Sequence, residues 1–237
     1  MSDRPTFTGI KDVDRQILLN LNDKSLFSAC KVDKYTMSLC NEDFWIDRFR
    51  QKFGTTLEDS KRHQTYENFY KKFIKLKLDD QFIEASSRGF LMLIKELIKR
   101  GVDINTQYIE DEIIKNGLIL AAENGHVDVV KFLLDQGVNI YEEDSDEILS
   151  GSHALIVSAE QGHSDVVKVL LDKVSDISDI KESYLRAIEK NNVEVVKLLV
   201  DYIDNKTINY SLKIAAEKNY LEIVKFLLDH GVDIINE

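Results

Sequence analysis

The sequence predicts an all-α protein, a stack of five helix pairs preceded by a small helical bundle. A recurring phrase is the first ground. "LAAENGHVDVVKFLLDQGVNI" at 120–140 returns as "VSAEQGHSDVVKVLLD" at 157–172 and as "IAAEKNYLEIVKFLLDHGVDI" at 214–234. Aligning Ala85, Ala121, Ser158, Ala187 and Ala215 sets out five copies with spacings of 36, 37, 29 and 28. The second ground is a residue type: four positions further on stand Gly89, Gly125, Gly162, Asn191 and Asn219. Only glycine and asparagine enter a left-handed turn cheaply, and a tight helix–helix turn needs one. The third ground is charge. Residues 1–80 hold 15 Lys+Arg against 13 Asp+Glu, which leaves 16 against 29 for residues 81–237 of a chain whose net charge is -11. The array therefore carries about -13 and the N-terminal part about +2, so a domain boundary is placed near residue 80.

Taken in order, residues 1–9 read as a flexible N-terminus too polar for a signal peptide, and no apolar run reaches the length of a membrane span. Residues 10–54 read as four short helices. The first carries Val13, Ile17, Leu18 and Leu21 at helical spacing. Asp23 is placed to cap a second helix with Leu26, Phe27, Ala29 and Cys30, and Asp33 a third with Tyr35, Met37, Leu39 and Cys40. The fourth starts near Asn41 and carries Phe44, Trp45, Phe49 and Phe53. Cys30 and Cys40 lack metal-ligand companions and are read as reduced core residues, which suits a reducing intracellular compartment. Residues 55–79 read as a connecting segment whose helix, with Tyr66, Phe69, Tyr70, Phe73 and Leu76 on one face, caps the open end of the first repeat.

From residue 80 to 237 each copy reads as two short helices, in the second copy roughly 117–124 and 127–136. Val127, Val130, Phe132, Leu133 and Leu134 form a broad apolar face, and Asp128, Asp165, Glu194 and Glu222 sit in first turns where they complement the helix dipole. Sixteen residues past the aligned position, copies one, two and five have Gly101, Gly137 and Gly231, whereas copies three and four have Val174 and Ile203. Valine and isoleucine resist left-handed geometry, and these two copies precede the short spacings. Projecting fingers are therefore expected to be trimmed after copies three and four. An enlarged one is expected after copy two, around "YEEDSDE" at 141–147.

These phrases resemble ankyrin repeats. The family pattern is carried by "GHVDVVKFLL" and "GHSDVVKVLL", with the closing "GVDI" at 101–104 and 231–234 and "GVNI" at 137–140. The resemblance spans about 80–237 and implies a solenoid that binds proteins. The N-terminal phrase "ILLNLNDKSLFSACKVDKYTMSLCNEDFW" at 17–45 resembles an F-box, although Gly9-Ile10 and Thr36 stand where that family usually has Leu-Pro and Trp. The combination is most similar to the F-box/ankyrin proteins of giant DNA viruses of the mimivirus group, which would make it a protein of host–virus interaction. The resemblance implies docking on a Skp-type adaptor of a cullin–RING ubiquitin ligase through Ile10, Val13, Ile17, Leu21, Leu26 and Val32.

Little suggests catalysis. His126 and His163 each follow a turn glycine, and their repetition marks a structural role. Asp144, Asp146 and Glu147 lack the glycine of a calcium loop, and no phosphate-binding loop, zinc-helix or nucleophile-elbow motif occurs. The protein is thus expected to be no enzyme, with no cofactor and no metal. The basic stretch 48–77 reads as a solvated helix face, and the acidic array disfavours nucleic acid as a partner. A basic target protein is expected instead, held by the fingers through Tyr108, Tyr141, Glu142, Glu143, Asp144 and Tyr202. For the tyrosines, ordinary packing is the competing reading; for the acidic loop, it is solubility. A monomer in the cytoplasm is expected, the nucleus being the other location considered. A plain interaction scaffold, with 10–80 serving only as a cap, is the alternative to a ubiquitin-ligase adaptor.

Overall fold

The computed structural model describes residues 11–31, 34–54, 66–110, 113–140 and 153–230. Ile10, Val32, the acidic finger at 141–147 and Gly231 lie outside the described residues. The chain forms two compact units: residues up to Gln81 with Met92–Gly101, and Phe82–Leu91 with Val102 onward.

The first unit contains α1 (Lys11–Leu19), α2 (Asp23–Ala29), α3 (Lys34–Leu39), α4 (Glu42–Phe53) and α5 (Tyr66–Phe73). Its core is aromatic, with Phe44, Trp45, Phe49, Phe53, Tyr70 and Phe73 all at 1% exposure or less beside Leu18 and Leu26. Phe49 and Phe53 lie 4.6 Å apart at their ring centroids, and Phe73 meets both from α5 at 5.8 and 5.4 Å. Helix α5 thus completes the aromatic core on α4. The cap of α2 is Asn22, whose side chain accepts from the Ser25 amide at 2.9 Å, and not Asp23 as the sequence suggested. The shift leaves the Asp23 carboxylate free to bind Arg48, Lys52 and Tyr70. Asn41 caps α4 in the same way, and left-handed Gly54 closes it.

The cysteine expectation is corrected. Cys30, the C-cap of α2, and Cys40, one residue past α3, form a disulfide with Cα atoms 5.9 Å apart. The short helix between them turns the chain back so that both ends meet. The inference of a reducing compartment loses the support it drew from free thiols.

Ten helices follow along the chain, two to each copy: α6 (Leu78–Ser87) and α7 (Leu91–Lys99), α8 (Gly117–Glu123) and α9 (Val127–Asp135), α10 (His153–Gln161) and α11 (Ser164–Leu171), α12 (Ile177–Glu189) and α13 (Val193–Leu199), and α14 (Asn205–Glu217) and α15 (Leu221–Asp229). In the second unit the first helices stack in one layer, α8 on α10 on α12 on α14, and α9, α11, α13 and α15 stack in the other. The only strands among the described residues are β1 (Gln107–Glu110) and β2 (Ile113–Asn116), one antiparallel hairpin in which Tyr108 pairs with Lys115. Five helix pairs with almost no strand is the all-α repeat solenoid that the period implied.

The turn inside each pair follows directly from residue type. Gly89, Gly125, Gly162, Asn191 and Asn219 have φ of 74, 75, 79, 61 and 60°. In every copy the following amide donates to the carbonyl of the aligned residue, as His126 does to Ala121 at 2.9 Å and Tyr220 to Ala215 at 2.8 Å. The left-handed residue donates to the carbonyl after it, as Gly125 does to Ala122 at 3.2 Å. This double closure is a Schellman turn, and it satisfies carbonyls that a helix end would otherwise leave bare.

Connections between pairs differ. Gly137 has φ 80° and turns the chain out after α9, whereas Val174 and Ile203 lead straight into Asp176 and Asp204. These aspartates cap α12 and α14, which run 13 residues each where α8 has seven. The Asp204 carboxyl is held at about 2 by the Thr207 amide and hydroxyl and by Lys181, against a small opposing effect of burial. Asn116 ends β2 and caps α8 through the Ile119 amide at 2.9 Å, and it is 5% exposed. Asn116→Ala removes that cap in a buried setting, so the array should lose about 1–2 kcal/mol by denaturant titration. An unchanged midpoint would mean that water replaces the amide oxygen.

Candidate protein-binding surface

The second unit carries an open groove of about 470 Å³ beside the finger hairpin. Glu84 and Ser87 of α6, Tyr108 of β1, Lys115 of β2, Glu123 of α8 and Gln161 of α10 line it. The hairpin supplies its side chains by strand alternation. Tyr108 and Lys115 are directly opposite each other and half-buried toward the groove, while their neighbour Ile109 is 74% exposed. The Lys115 ammonium sits 3.2 Å from the Glu123 carboxylate, which ties hairpin to helix. His153, at the start of α10, feels the same group. Burial lowers its pKa, Glu123 raises it and Lys115 lowers it again. At the finger base the Asn139 amide donates to the Asn105 side chain at 2.8 Å, joining one connection to the next.

A ladder of side chains fixes the spacing of these elements. The His126 Nε2 lies 3.0 Å from the Ser87 carbonyl and the His163 Nε2 3.0 Å from that of Glu123. A carbonyl only accepts, so both imidazoles carry their proton on Nε2. The Asn192 amide donates to the Ala159 and Glu160 carbonyls at 2.8 Å each, and the Tyr220 hydroxyl to Glu189 at 3.2 Å. Each pair therefore reaches back to the first helix of the one before it. The histidines are structural struts between repeats, as their repetition in the sequence indicated.

Of the residues expected to grip a target, Tyr108 lies in the groove and Tyr202 is 53% exposed in the 3-10 turn Val200–Tyr202. Tyr141, Glu142, Glu143 and Asp144 lie outside the described residues. Of those expected to dock an adaptor, Ile17 and Leu21 are half-buried at the end of α1, and Val13 lies on the same helix. Leu26 is fully buried and belongs to the bundle core. The sequence reading passed over Glu84, Lys115, Glu123 and Gln161. The one signal for them was the pairing of Tyr108 with Lys115 across a short alternating segment.

Stacked helix pairs with a hairpin finger beside an open groove define a repeat array of the protein-binding class. The family model for ankyrin repeats (3 copies) matches residues 82–181 and 183–237, most of the chain, and the chain belongs to that family. Ankyrin repeats of this kind support a role in protein–protein interaction.

Proposed function

We propose that the protein is a two-module adaptor: the ankyrin array selects a target and the N-terminal bundle presents it to a Skp-type subunit of a cullin–RING ubiquitin ligase. The observation that carries the reading is that helices α1–α5 enclose an aromatic core of their own. The F-box-like phrase at 17–45 supports the adaptor assignment, with Ile17 and Leu21 half-buried at the end of α1 as the contact residues. The target is a basic protein, on the strength of the array's net charge of about -13. The setting is the cytoplasm of a cell, a host cell if the kinship with viral F-box/ankyrin proteins holds.

Co-purification of the full chain with a Skp-type adaptor tests the first half. Micromolar binding is expected, lost on charging Ile17 and Leu21 while circular dichroism stays native, and kept when the exposed Lys24 is changed. No binding by the wild-type chain would leave the scaffold reading in its place. For the second half, replacing Glu142, Glu143, Asp144, Asp146 and Glu147 by Asn or Gln should slow association with a basic target and flatten its salt dependence. Equal rates would reduce the finger's acidity to solubility.

A further inference from the structure

We propose that the Cys30–Cys40 disulfide is a redox-controlled clasp on the N-terminal bundle, and that its reduction by a dithiol frees helix α3 while α4 and α5 stay packed. Helix α3 has six residues, too few to persist by hydrogen bonding alone. It rests on α1 and presents Lys34, Met37 and Ser38 to solvent, with Met37 59% exposed. Among the described residues two non-covalent anchors hold it: Leu39, 5% exposed, and the Tyr35 hydroxyl, which donates to the buried Asp14 carboxylate at 2.6 Å. The disulfide is the third anchor and the only covalent one.

The two sulfurs are not equally reachable. Cys30 is buried at 6% and Cys40 is half-buried, so an incoming thiolate meets Cys40 Sγ first and the Cys30 thiolate leaves. The second thiol of the reductant then resolves the mixed disulfide. The chain gains two electrons and two protons as two thiols, and the dithiol becomes a cyclic disulfide. The crosslink spans ten residues, for which loop-closure entropy implies roughly a hundredfold change in local opening. The effect stays local because α2 and α4 keep side-chain caps of their own, Asn22 and Asn41. The clasp operates whether or not the bundle docks on an adaptor.

A reporter is built in. Trp45 is the sole tryptophan, and its indole N–H donates to the Cys40 carbonyl at 3.1 Å. The full chain, first exposed to oxidised glutathione, is compared with and without dithiothreitol by alkylation mass, Trp45 emission and amide hydrogen exchange. Reduction should add two alkyl groups, shift the emission and speed exchange in 34–39 roughly 100-fold, leaving 42–53, 66–73 and the array protected. A Cys30→Ser/Cys40→Ser chain should show the reduced pattern with or without the dithiol. Two free thiols persisting after oxidised glutathione would overturn the proposal. So would unchanged exchange in α3 on reduction, or α4 and α5 loosening as much as α3.

Discussion

Gly125→Val should cost the array about 1.5–3.5 kcal/mol and split its unfolding into separate steps. Two penalties meet at this position. The backbone sits at φ 75°, where a β-branched residue is strained by about 1–2 kcal/mol. A Cβ there would also stand 2.7 Å from Nδ1 and 2.8 Å from Cε1 of the His163 ring. The ring must move, and with it goes the 3.0 Å bond from Nε2 to the Glu123 carbonyl, about another 0.5–1.5 kcal/mol. That bond crosses from the third repeat to the second. A repeat array is held by nearest-neighbour interfaces, so weakening a central one uncouples the halves on either side.

The comparison that isolates the strut is Gly137→Val. Gly137 has φ 80° but no atom of the described residues within 4 Å of its added Cβ, so the strain of about 1–2 kcal/mol is the cost that applies. Denaturant titrations followed by far-UV circular dichroism should rank Gly125→Val as the more damaging. In a Gly125→Val/His163→Ala chain the clash is gone, and the two costs should add to less than their sum. Equal effects at the two glycines would mean that the His163 strut carries no energy.

The same turn shows what a sequence makes legible. Left-handed geometry restricts residue type at the residue itself, so Gly125 and Asn191 announce the turn without knowledge of any neighbour. The second reason for glycine at 89, 125 and 162 was hidden: the next repeat lays His126, His163 or Asn192 over each, as close as 2.5–2.8 Å to a would-be Cβ. That contact spans thirty residues or more and leaves no local trace. The outer helices were readable from their apolar period, and the shortened connections from Val174 and Ile203. The groove was not, because Glu84, Lys115, Glu123 and Gln161 are ordinary surface residues until four separate segments gather them. The disulfide was missed for a like reason. Two cysteines ten residues apart carry no signature, and only the return of α3 onto α1 brings them together. Asp23 looked like a helix cap because both aspartate and its neighbour asparagine cap well. What decides between them is Arg48, 25 residues away.

Arg48→Met should cost the bundle about 3–5 kcal/mol and leave the array untouched, since removing one partner strands buried polar groups. Arg48 is 9% exposed and bonds five groups, buried or half-buried but for Gln51, which it meets at 3.3 Å. It donates to the Leu19 carbonyl, to the Leu21 carbonyl at 2.8 Å, to Asp23 at 2.8 Å and to the Tyr70 hydroxyl at 3.1 Å. The Leu19 carbonyl ends α1, where helix acceptors otherwise go unpaired, and the Leu21 carbonyl lies two residues further on. Methionine fills the stem's space and satisfies none of them. Tyr70→Phe, which removes a hydroxyl bonded to both Asp23 and Arg48, should cost less, about 1.5–3 kcal/mol. Trp45, 1% exposed in the bundle core, reports this unit alone, while far-UV circular dichroism sums the helices of both. Acid adds a second readout. Burial by itself would raise the Asp23 carboxyl, but hydrogen bonds from Lys52, Arg48 and Tyr70 outweigh it and hold the group at about 2. A carboxyl depressed in the folded state stabilises above its unfolded value, near 4, and that contribution is lost as pH falls toward 2. The wild-type bundle should therefore lose stability between pH 4 and 2. Without Arg48 the carboxyl moves back toward its ordinary value, and the loss over that window should shrink. Equal acid sensitivity in both chains would show that Lys52 and Tyr70 alone hold the Asp23 charge.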